Sequence, residues 1–202
     1  MAKPTTRAEP SAPKRRRADA ERSVAAILDA GLEALASDPD ASMAEIARRA
    51  GVVRATIYVH FPTRDSLLDA VMDHALSEVA EALDAAAPEQ GEPEEALRRL
   101  LRTTWRQLDR FHSLVTINTA RLSKEELHRR HLPVIQKFAP LIERGQQAGV
   151  FRADLPVSWN LSMILAIVHA ASGELQSGRI AASKVEAAML STVSSAIAAR
   201  RT

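Results

Sequence analysis

Polar side chains of the kind that contact nucleic acids are concentrated in the stretch AEIARRAGVVRATIYVHF, residues 44–61. After one glycine, eight residues contain an arginine, a threonine, a tyrosine and a histidine: Arg54, Thr56, Tyr58 and His60. Guanidinium and hydroxyl groups contact base edges and phosphates when a short helix lies in the major groove of DNA. The stretch therefore indicates a DNA-binding helix, with an ordinary helical hairpin as the alternative.

The elements that would position these side chains are two short helices separated by Gly51. Glycine adopts the left-handed backbone conformation that ends many helices, so we predict that one helix ends there and that another follows a tight turn. In the second helix, Val53, Ile57 and Phe61 are spaced four apart, and we expect them to pack inward against the first helix. The outward side then presents Arg54, Ala55, Tyr58 and Val59.

The strongest candidate for enzyme chemistry is a carboxylate with two imidazoles at positions i, i+3 and i+6: Glu125, His128 and His131. These groups resemble part of a metal site, so a helical metal-binding enzyme is an alternative function. However, the matching Glu-x-x-His sets that such a site needs on other helices are absent, and Arg129 and Arg130 add positive charge beside it. Because the sequence also lacks a Gly-rich phosphate loop, G-x-S-x-G and H-E-x-x-H, we expect no catalytic residue, no metal and no cofactor.

The composition is that of a soluble globular protein, since 46% of the 202 residues are hydrophobic and 26% are charged. The chain contains no cysteine, which excludes disulfides, thiolate metal sites and cysteine nucleophiles. No apolar run reaches the roughly 18 residues of a membrane span, and the amino end lacks the apolar segment of a signal peptide. We therefore expect a cytoplasmic protein that has no membrane partner.

Positive charge is concentrated at the amino end, although the net charge of the whole chain is only +2. Residues 1–17 contain six lysines and arginines, among them Arg16 and Arg17, against one glutamate. Because this segment also contains prolines and cannot form a core, we predict that residues 1–18 are a disordered basic arm. Such an arm favours contact with a polyanion such as nucleic acid, and a solvated tail without a function is the alternative.

Beyond the arm, apolar residues recur at helical spacing almost throughout, and no comparable stretch alternates with a period of two. We predict an all-α fold of about nine helices, divided between residues 19–64 and residues 65–202. Three Ser-x-x-Glu sequences predict helix starts, because the hydroxyl and the carboxylate can each bond a free backbone amide. These are Ser42 with Glu45, Ser123 with Glu126, and Ser183 with Glu186.

A resemblance to a known family rests on the sequence MAEIARRAGVVRATIYVHFPTRDSLLDAV, which is preceded by ILDAGLEALA. About residues 22–72 are similar to the DNA-binding domain of the TetR family of bacterial transcriptional regulators, whose pattern is I-A-x-x-A-G-V-S-x-x-T-hydrophobic-Y-x-H-F. The resemblance implies a three-helix, helix-turn-helix head that binds double-stranded DNA. Together with the basic arm, the residues expected to contact DNA are Arg16, Arg17, Ser42, Arg54, Ala55, Thr56, Tyr58, His60, Thr63 and Arg64.

One position departs from the family pattern, because Val53 stands where a serine usually begins the second helix of the motif. We expect this helix to lack a side-chain cap, at a cost of ~1 kcal/mol. Ala55 offers no hydrogen-bonding group, so base discrimination would depend on Arg54, which can form a bidentate contact with guanine.

The same resemblance implies a homodimer whose interface is formed by the last two helices and which binds a palindromic operator. The run VSWNLSMILAIVHAA at residues 157–171 is apolar almost all round, and the last helix carries an apolar row at i+4 spacing. The expected interface residues are Leu161, Leu165, Val168, Val185, Met189, Val193 and Ile197. The alternative is that these residues only complete the core of the monomer.

The middle of the chain is expected to bind a small, largely apolar effector that releases the protein from DNA. The pocket candidates are apolar residues with a few polar groups: Trp105, Leu108, His112, Thr116, Phe138, Met163 and His169. Each could instead be an ordinary core residue. The sequence therefore predicts a ligand-responsive repressor, with a helical protein-interaction module as a further alternative to the enzyme.

Overall fold

The structure, a computed structural model, describes the backbone of residues 12–199 and the side chains of residues 17–199. These residues form ten α-helices and one short 3₁₀ helix, so the prediction of an all-α fold is confirmed. The helices are α1 Ala12–Ser37, α2 Met43–Arg49, α3 Arg54–His60, α4 Arg64–Ala85, α5 Pro93–Arg110, α6 His112–Arg121, α7 Lys124–Ile135, α8 Ala139–Gln147, α9 Val157–Ser177 and α10 Ala182–Ile197. Apart from one isolated antiparallel bridge between Phe151 and Ala198, this part of the chain contains no strand.

The helix count is one higher than predicted because the 3₁₀ helix Gln136–Phe138 separates α7 from α8. Prolines lie on both sides of this break: Pro133 is inside α7, and Pro140 is near the start of α8. Proline has no amide hydrogen to donate to the preceding turn, so regular α-helical bonding is weakened here.

Two of the three predicted helix caps are confirmed. The hydroxyl oxygens accept hydrogen bonds of 3.2 Å from backbone amides, Ser42 from Glu45 and Ser123 from Glu126. The third prediction is wrong, because α10 begins at Ala182 and has no side-chain cap. The preceding helix, α9, continues to Ser177 and ends at Gly178, which has a φ of +63°.

The amino-terminal helix also begins earlier than predicted. Helix α1 starts at Ala12, so residues 12–18 are helical and not part of a disordered arm. The ion pair between Arg17 and Glu21, at 3.0 Å and i,i+4 spacing, is of the kind that supports an exposed helix. Residues 1–11 lie outside the described residues.

The chain divides into two compact units, of which the first ends at Val71 and the second begins at Met72. In the first unit, α1 packs on α2 and α2 packs on α3 around fully buried side chains that include Ile27, Leu35, Ile46 and Ile57. We predicted a boundary after residue 64, but the first turns of α4 belong to this core. Gly31 of α1 lies so close to α4 that an added Cβ would be 2.8 Å from Cγ2 of Val71.

In the second unit, α5 packs against α8 and α10, while α9 packs against α8 and α10. The fully buried side chains include Leu97, Leu100, Phe138 and Ile142. Carbonyls and amides also tie the end of α10 to the connection between α8 and α9: the amide of Arg152 donates to Ile197 at 2.8 Å, and the amide of Ala199 donates to Val150 at 3.0 Å.

The residues that we expected at a dimer interface lie instead in the core of the second unit. The apolar row of α10 and its partner on α9 are at most 6% exposed: Val168, Val185, Met189, Val193 and Ile197. Leu161 and Leu165 are half-buried and pack against the same core. The interface prediction is therefore wrong for these five buried residues, because the row of α10 is covered by α9 and α5 of its own chain. For Leu161 and Leu165 it stays a prediction.

Across the residues that the structure describes, no helix is both long enough and apolar enough to span a membrane.

Candidate nucleic-acid interface and ligand cavity

The turn between α2 and α3 is held by a pair of hydrogen bonds that only a left-handed residue permits. Gly51 has a φ of +68°, and its amide donates to Arg48 at 3.2 Å. The amide of Val52 donates to Ala47 at 3.0 Å, which completes a Schellman motif. The prediction that Gly51 ends the first short helix is confirmed.

Helix α2 begins and ends with polar groups that are bonded to one another. The carboxylate of Glu45 accepts from Arg48 at 2.7 and 2.9 Å and from Arg49 at 2.9 Å. Hydrogen bonds from Arg48, and then from Arg49, lower the pKa of Glu45 to about 2. The only carboxylate within residues 42–64 is therefore partnered, whereas Arg48 remains on the surface.

Helix α3 has one buried side and one exposed side, as its spacing predicts. Ile57 is fully buried and Phe61 is 7% exposed, whereas the outward residues are accessible to solvent: Arg54, Ala55, Tyr58 and Val59. The guanidinium carbon of Arg54 lies 5.6 Å from the centre of the Tyr58 ring, a cation–π contact that orients both groups. Thr56 and His60, four residues apart and therefore on the same edge of this face, are half-buried.

Val53 does not pack inward, so that part of the prediction is wrong. It is the N-cap of α3, with extended backbone angles, no side-chain cap and 71% of its surface exposed. Val53 precedes the first helical residue, so the four-residue spacing of the helix does not determine its direction. Val59 is 77% exposed on the outer face and was not among the expected DNA contacts, although its position four residues after Ala55 indicates that face.

Thr63 and Arg64 make contacts within the first unit. Thr63 and Ser66 cap the start of α4 reciprocally, because each side-chain oxygen accepts from the amide of the other residue, at 3.0 and 3.1 Å. The guanidinium of Arg64 donates to the carbonyl of Pro39 at 2.9 Å and to that of Ala41. Arg64 therefore holds the loop before α2, which differs from the DNA contact that we expected. The side chain of Arg16 lies outside the described residues, and Arg17 is paired with Glu21.

The second unit contains a cavity of about 570 Å³. Its wall is formed mainly by apolar side chains of α4, α5, α6, α7 and α9. Three of the seven predicted pocket residues line it: Leu108, Phe138 and His169. The other four do not, since Trp105 is buried in the core, His112 and Thr116 are exposed, and Met163 is half-buried on another side of α9.

Sequence reasoning missed most of the cavity wall. Helix α4 contributes Met72, Leu76 and Val79, and α7 contributes a face that recurs at three- and four-residue spacing. This face consists of Lys124, Leu127, His128, His131 and Val134. The spacing was visible in the sequence, but polar and apolar residues alternate on it in a way that does not distinguish a cavity wall from a solvated helix side.

Two histidines meet in this cavity. The rings of His131 on α7 and His169 on α9 are 5.7 Å apart and nearly perpendicular. Burial lowers the pKa of both imidazoles, and the nearby histidines lower it further. On another part of the wall, the side-chain oxygen of Gln107 is buried without a hydrogen-bond partner.

The structure does not assemble the metal site that we considered as an alternative. Glu125, His128 and His131 do not bring three ligand atoms within 4.8 Å of one another. Glu125 is exposed, and Nδ1 of His131 lies 2.7 Å from the carbonyl oxygen of Leu127. The two imidazoles belong to the cavity wall, so these residues are explained without an ion.

Known proteins match both parts of the chain. Residues 27–71 match the family described as "Bacterial regulatory proteins, tetR family", and residues 93–187 match the "Tetracyclin repressor-like, C-terminal domain". The HTH-type transcriptional regulator NfxB of Pseudomonas aeruginosa is 30% identical over 152 residues, which are 74% of this chain and 81% of NfxB. The HTH-type transcriptional repressor LfrR of Mycolicibacterium smegmatis is 39% identical over 89 residues, 44% of this chain and 46% of LfrR.

A solved structure supports the same fold. The crystal structure of LfrR from Mycobacterium smegmatis in complex with proflavine has a TM-score of 0.65 and 24% identity, and the comparison covers 89% of this chain and 98% of that one. The sequence and fold comparisons agree with the helix-turn-helix geometry of α2 and α3. The chain therefore belongs to the TetR family of bacterial transcriptional regulators and is not an enzyme.

Proposed function

We propose that the protein is a homodimeric repressor that binds a palindromic operator through α3 and is released by a small, largely apolar effector. The observation that carries the DNA-binding proposal is the exposed Arg54–Tyr58 pair on the outer face of α3. A helix presented in this way fits the major groove, and two such helices in a dimer read the two halves of a palindrome. The protein would act in the cytoplasm, associated with the nucleoid when it is bound to DNA.

The residues of the proposed interface divide between contacts to bases and contacts to the DNA backbone. Arg54 would form the bidentate contact to guanine, while Ala55 and Val59 would place methyl groups against thymine. Phosphate and backbone contacts would come from the hydroxyl and imidazole groups around α3, namely Ser42, Thr56, Tyr58, Thr63 and His60. Arg64 would act by positioning the loop before α2, since its guanidinium donates to two carbonyls there.

Repression is favoured by the relatives. LfrR is described as a repressor, and it shares 39% identity with this chain over a segment of 89 residues.

The effector part of the proposal rests on the cavity. A volume of about 570 Å³ is of the size that binds drug-like molecules. The buried, unpartnered oxygen of Gln107 lies in its wall, and a polar group of a ligand could satisfy it. The proflavine complex of LfrR supports a small-molecule ligand for this fold. Release from DNA requires that the effector bind the DNA-free conformation more tightly than the DNA-bound one.

We place the dimer interface on the outward sides of α9 and α10. Trp159 is 59% exposed on α9, which is unusual for a large aromatic side chain. The exposed residues of α10 include Ala188, Ser191 and Ser195, whose small size permits close approach of a second helix pair. This surface replaces the buried row of α10 as the proposed site of dimerisation.

The test of DNA binding is selection of the purified protein against a random duplex library, followed by titration of the selected DNA with variants. We expect a palindrome to be enriched and Tyr58→Ala to lose operator binding while helicity and mass are unchanged. Arg54→Ala should cost about 1 to 3 kcal/mol and relax specificity at one base position of each half-site.

The control is Arg98→Ala, which removes another exposed arginine, on α5, where the guanidinium pairs with Glu94. This variant should bind the operator as the parent protein does. Full operator affinity in Tyr58→Ala, or enrichment of no sequence by the parent protein, would refute the assignment of α3 as the recognition helix.

A further inference from the structure

The cavity wall formed by α7 carries groups that are cations or become cations on protonation. Lys124, His128 and His131 lie four and then three residues apart, which places them on one side of the helix. His169 of α9 meets His131 from the opposite wall, with ring centres 5.7 Å apart. One permanent positive charge and three imidazoles therefore border the same space.

Negative groups are missing from this wall. None of the described residues that line the cavity is an aspartate or a glutamate, and α4, α5 and α6 contribute no titratable side chain to it. Three acidic residues next to lining residues along the chain have ion-pair partners: Glu126 pairs with Arg129 and Arg130, Asp73 with Arg130, and Glu174 with Arg179. Glu125, which follows Lys124, is exposed and does not line the cavity. A buried cationic ligand would have no counter-charge here, which is costly in an apolar cavity.

The hydrogen bond of His131 determines what its other nitrogen can do. Nδ1 lies 2.7 Å from the carbonyl oxygen of Leu127, so this nitrogen carries the hydrogen. In the neutral ring, Nε2 is then an acceptor and repels an anion. Protonation converts Nε2 into a charged donor, and an anion beside it would stabilise that form.

We propose that the cavity binds an organic anion with an apolar body, whose charged group contacts the His131–His169 pair, and that binding takes up a proton. This inference rests on the proposed function of the cavity as an effector site. The apolar lining from α4, α5 and α6 would contact the body of the ligand, and Lys124 would add attraction from the start of α7. Gln107 is compatible with this ligand, because rotation of its amide presents a donor in place of the oxygen.

The sign of the pH dependence follows from this linkage. In the ligand-free protein, burial keeps the pKa of His131 and His169 below 6.5, so few molecules carry the proton at neutral pH. A bound anion raises the pKa of the imidazole that it contacts. Between the pKa of the imidazole in the free protein and its pKa in the complex, each unit of rising pH lowers the affinity for the anion by up to about tenfold. Above the pKa in the complex, the bound form also deprotonates and the affinity no longer falls.

The test compares three fluorescent probes that have the same apolar body: pyrenecarboxylate, pyrenemethanol and pyrenemethylammonium. Each is titrated into the full-length protein without DNA, from about pH 6 to about pH 8, where the carboxylate stays ionised. We expect pyrenecarboxylate to bind most tightly and to weaken as the pH rises. The affinity of the neutral alcohol should not change with pH.

Two variants and two controls locate the effect. His131→Gln should flatten the pH dependence for pyrenecarboxylate, and Lys124→Gln should lower its affinity without changing that of pyrenemethanol. The controls, His112→Gln and Lys137→Gln, replace the same residue types outside the cavity lining and should behave as the parent protein does.

Tighter binding of pyrenemethylammonium than of pyrenecarboxylate would overturn the proposal, as would binding of none of the probes. Carboxylate binding that does not depend on pH, or that is unaffected by His131→Gln, would also overturn it. DNA is absent from these titrations, so operator selection tests the regulatory function separately. A protein that binds an operator but prefers the cationic probe would keep the proposed function and lose this inference.

Discussion

Gly145 must lack a side chain because the ring of Phe151 lies against it. It lies inside α8, and an added Cβ would be 2.0 Å from Cδ2 of Phe151. The backbone keeps the ring close, because the amides of Val150 and Phe151 both donate to the carbonyl of Gly145, at 2.9 and 3.0 Å. Gly173 of α9 is also helical, but an added Cβ would meet nothing within 4 Å.

These two glycines give a matched prediction in which the same substitution has opposite effects. Gly145→Ala should destabilise the fold by about 1 to 3 kcal/mol, because the ring of Phe151 must move. Gly173→Ala should stabilise it by about 0.5 to 1 kcal/mol, because alanine loses less backbone entropy in a helix. Thermal unfolding of both variants measures the difference. An equal shift in both would contradict the role assigned to Phe151.

At the scale of secondary-structure elements, α9 and α10 each carry a buried side and an outward side. Val193 is fully buried on the side of α10 that faces the core of its own chain, whereas Trp159 is exposed on α9. Both residues are apolar and lie in the last two helices, so sequence alone does not separate their roles. Because their surroundings differ, we expect an acidic substitution to disrupt the dimer at Trp159 and the fold of the monomer at Val193.

Trp159→Glu should convert the dimer to monomers that remain folded, because it places a charge on the proposed interface. Val193→Asp should instead destabilise the monomer by more than about 2 kcal/mol, because the carboxylate would be buried without a partner. Light scattering gives the mass, and thermal unfolding gives the stability. Leu132→Glu changes another exposed apolar residue, on α7, and should affect neither. A folded dimer of Trp159→Glu would place the interface elsewhere.

At the scale of the whole molecule, the cavity wall of the second unit contains two histidines with lowered pKa values. Burial lowers the pKa of His131 and His169 in the folded protein, while the unfolded chain keeps ordinary values near 6.5. The unfolded state therefore binds more protons on acidification. The stabilisation is complete above the ordinary value and is lost as the pH falls through the folded-state pKa.

We therefore expect the midpoint temperature of thermal unfolding to decrease when the pH is lowered from about 7.5 to about 5.5. His131→Gln and His169→Gln should each reduce this loss, because a group that cannot be protonated no longer favours the unfolded state at low pH. His112→Gln, on the surface, provides the comparison. If all four proteins lose the same stability on acidification, other groups cause it.

The sequence was sufficient where a local rule determines the outcome. The left-handed turn at Gly51 and the burial of Ile57 follow from residue type and helical period, and both are confirmed. The helical period predicted the direction of Val53 wrongly, because this residue lies just before the first helical residue of α3.

Tertiary contacts decided what the sequence could not. The apolar row of α10 that includes Val193 was assigned to a dimer interface, because periodicity does not say whether the covering surface belongs to the same chain or to a partner. Likewise, Trp105 is a residue type that is common in ligand pockets, and yet it packs in the core. His131 faces the cavity because α9, which carries His169, lies opposite α7, and the sequence of α7 alone does not predict this.

The two exposed valines, one at the start of α3 and one on its outer face, affect how operator affinity depends on salt and temperature. Val53 and Val59 both expose their methyl groups to solvent, as Arg54 exposes its charged side chain. In a complex with DNA, the attraction of the arginine for phosphates weakens as ions are added, whereas burial of the methyl groups weakens on cooling. Operator affinity then draws on one contribution that salt reduces and on another that low temperature reduces.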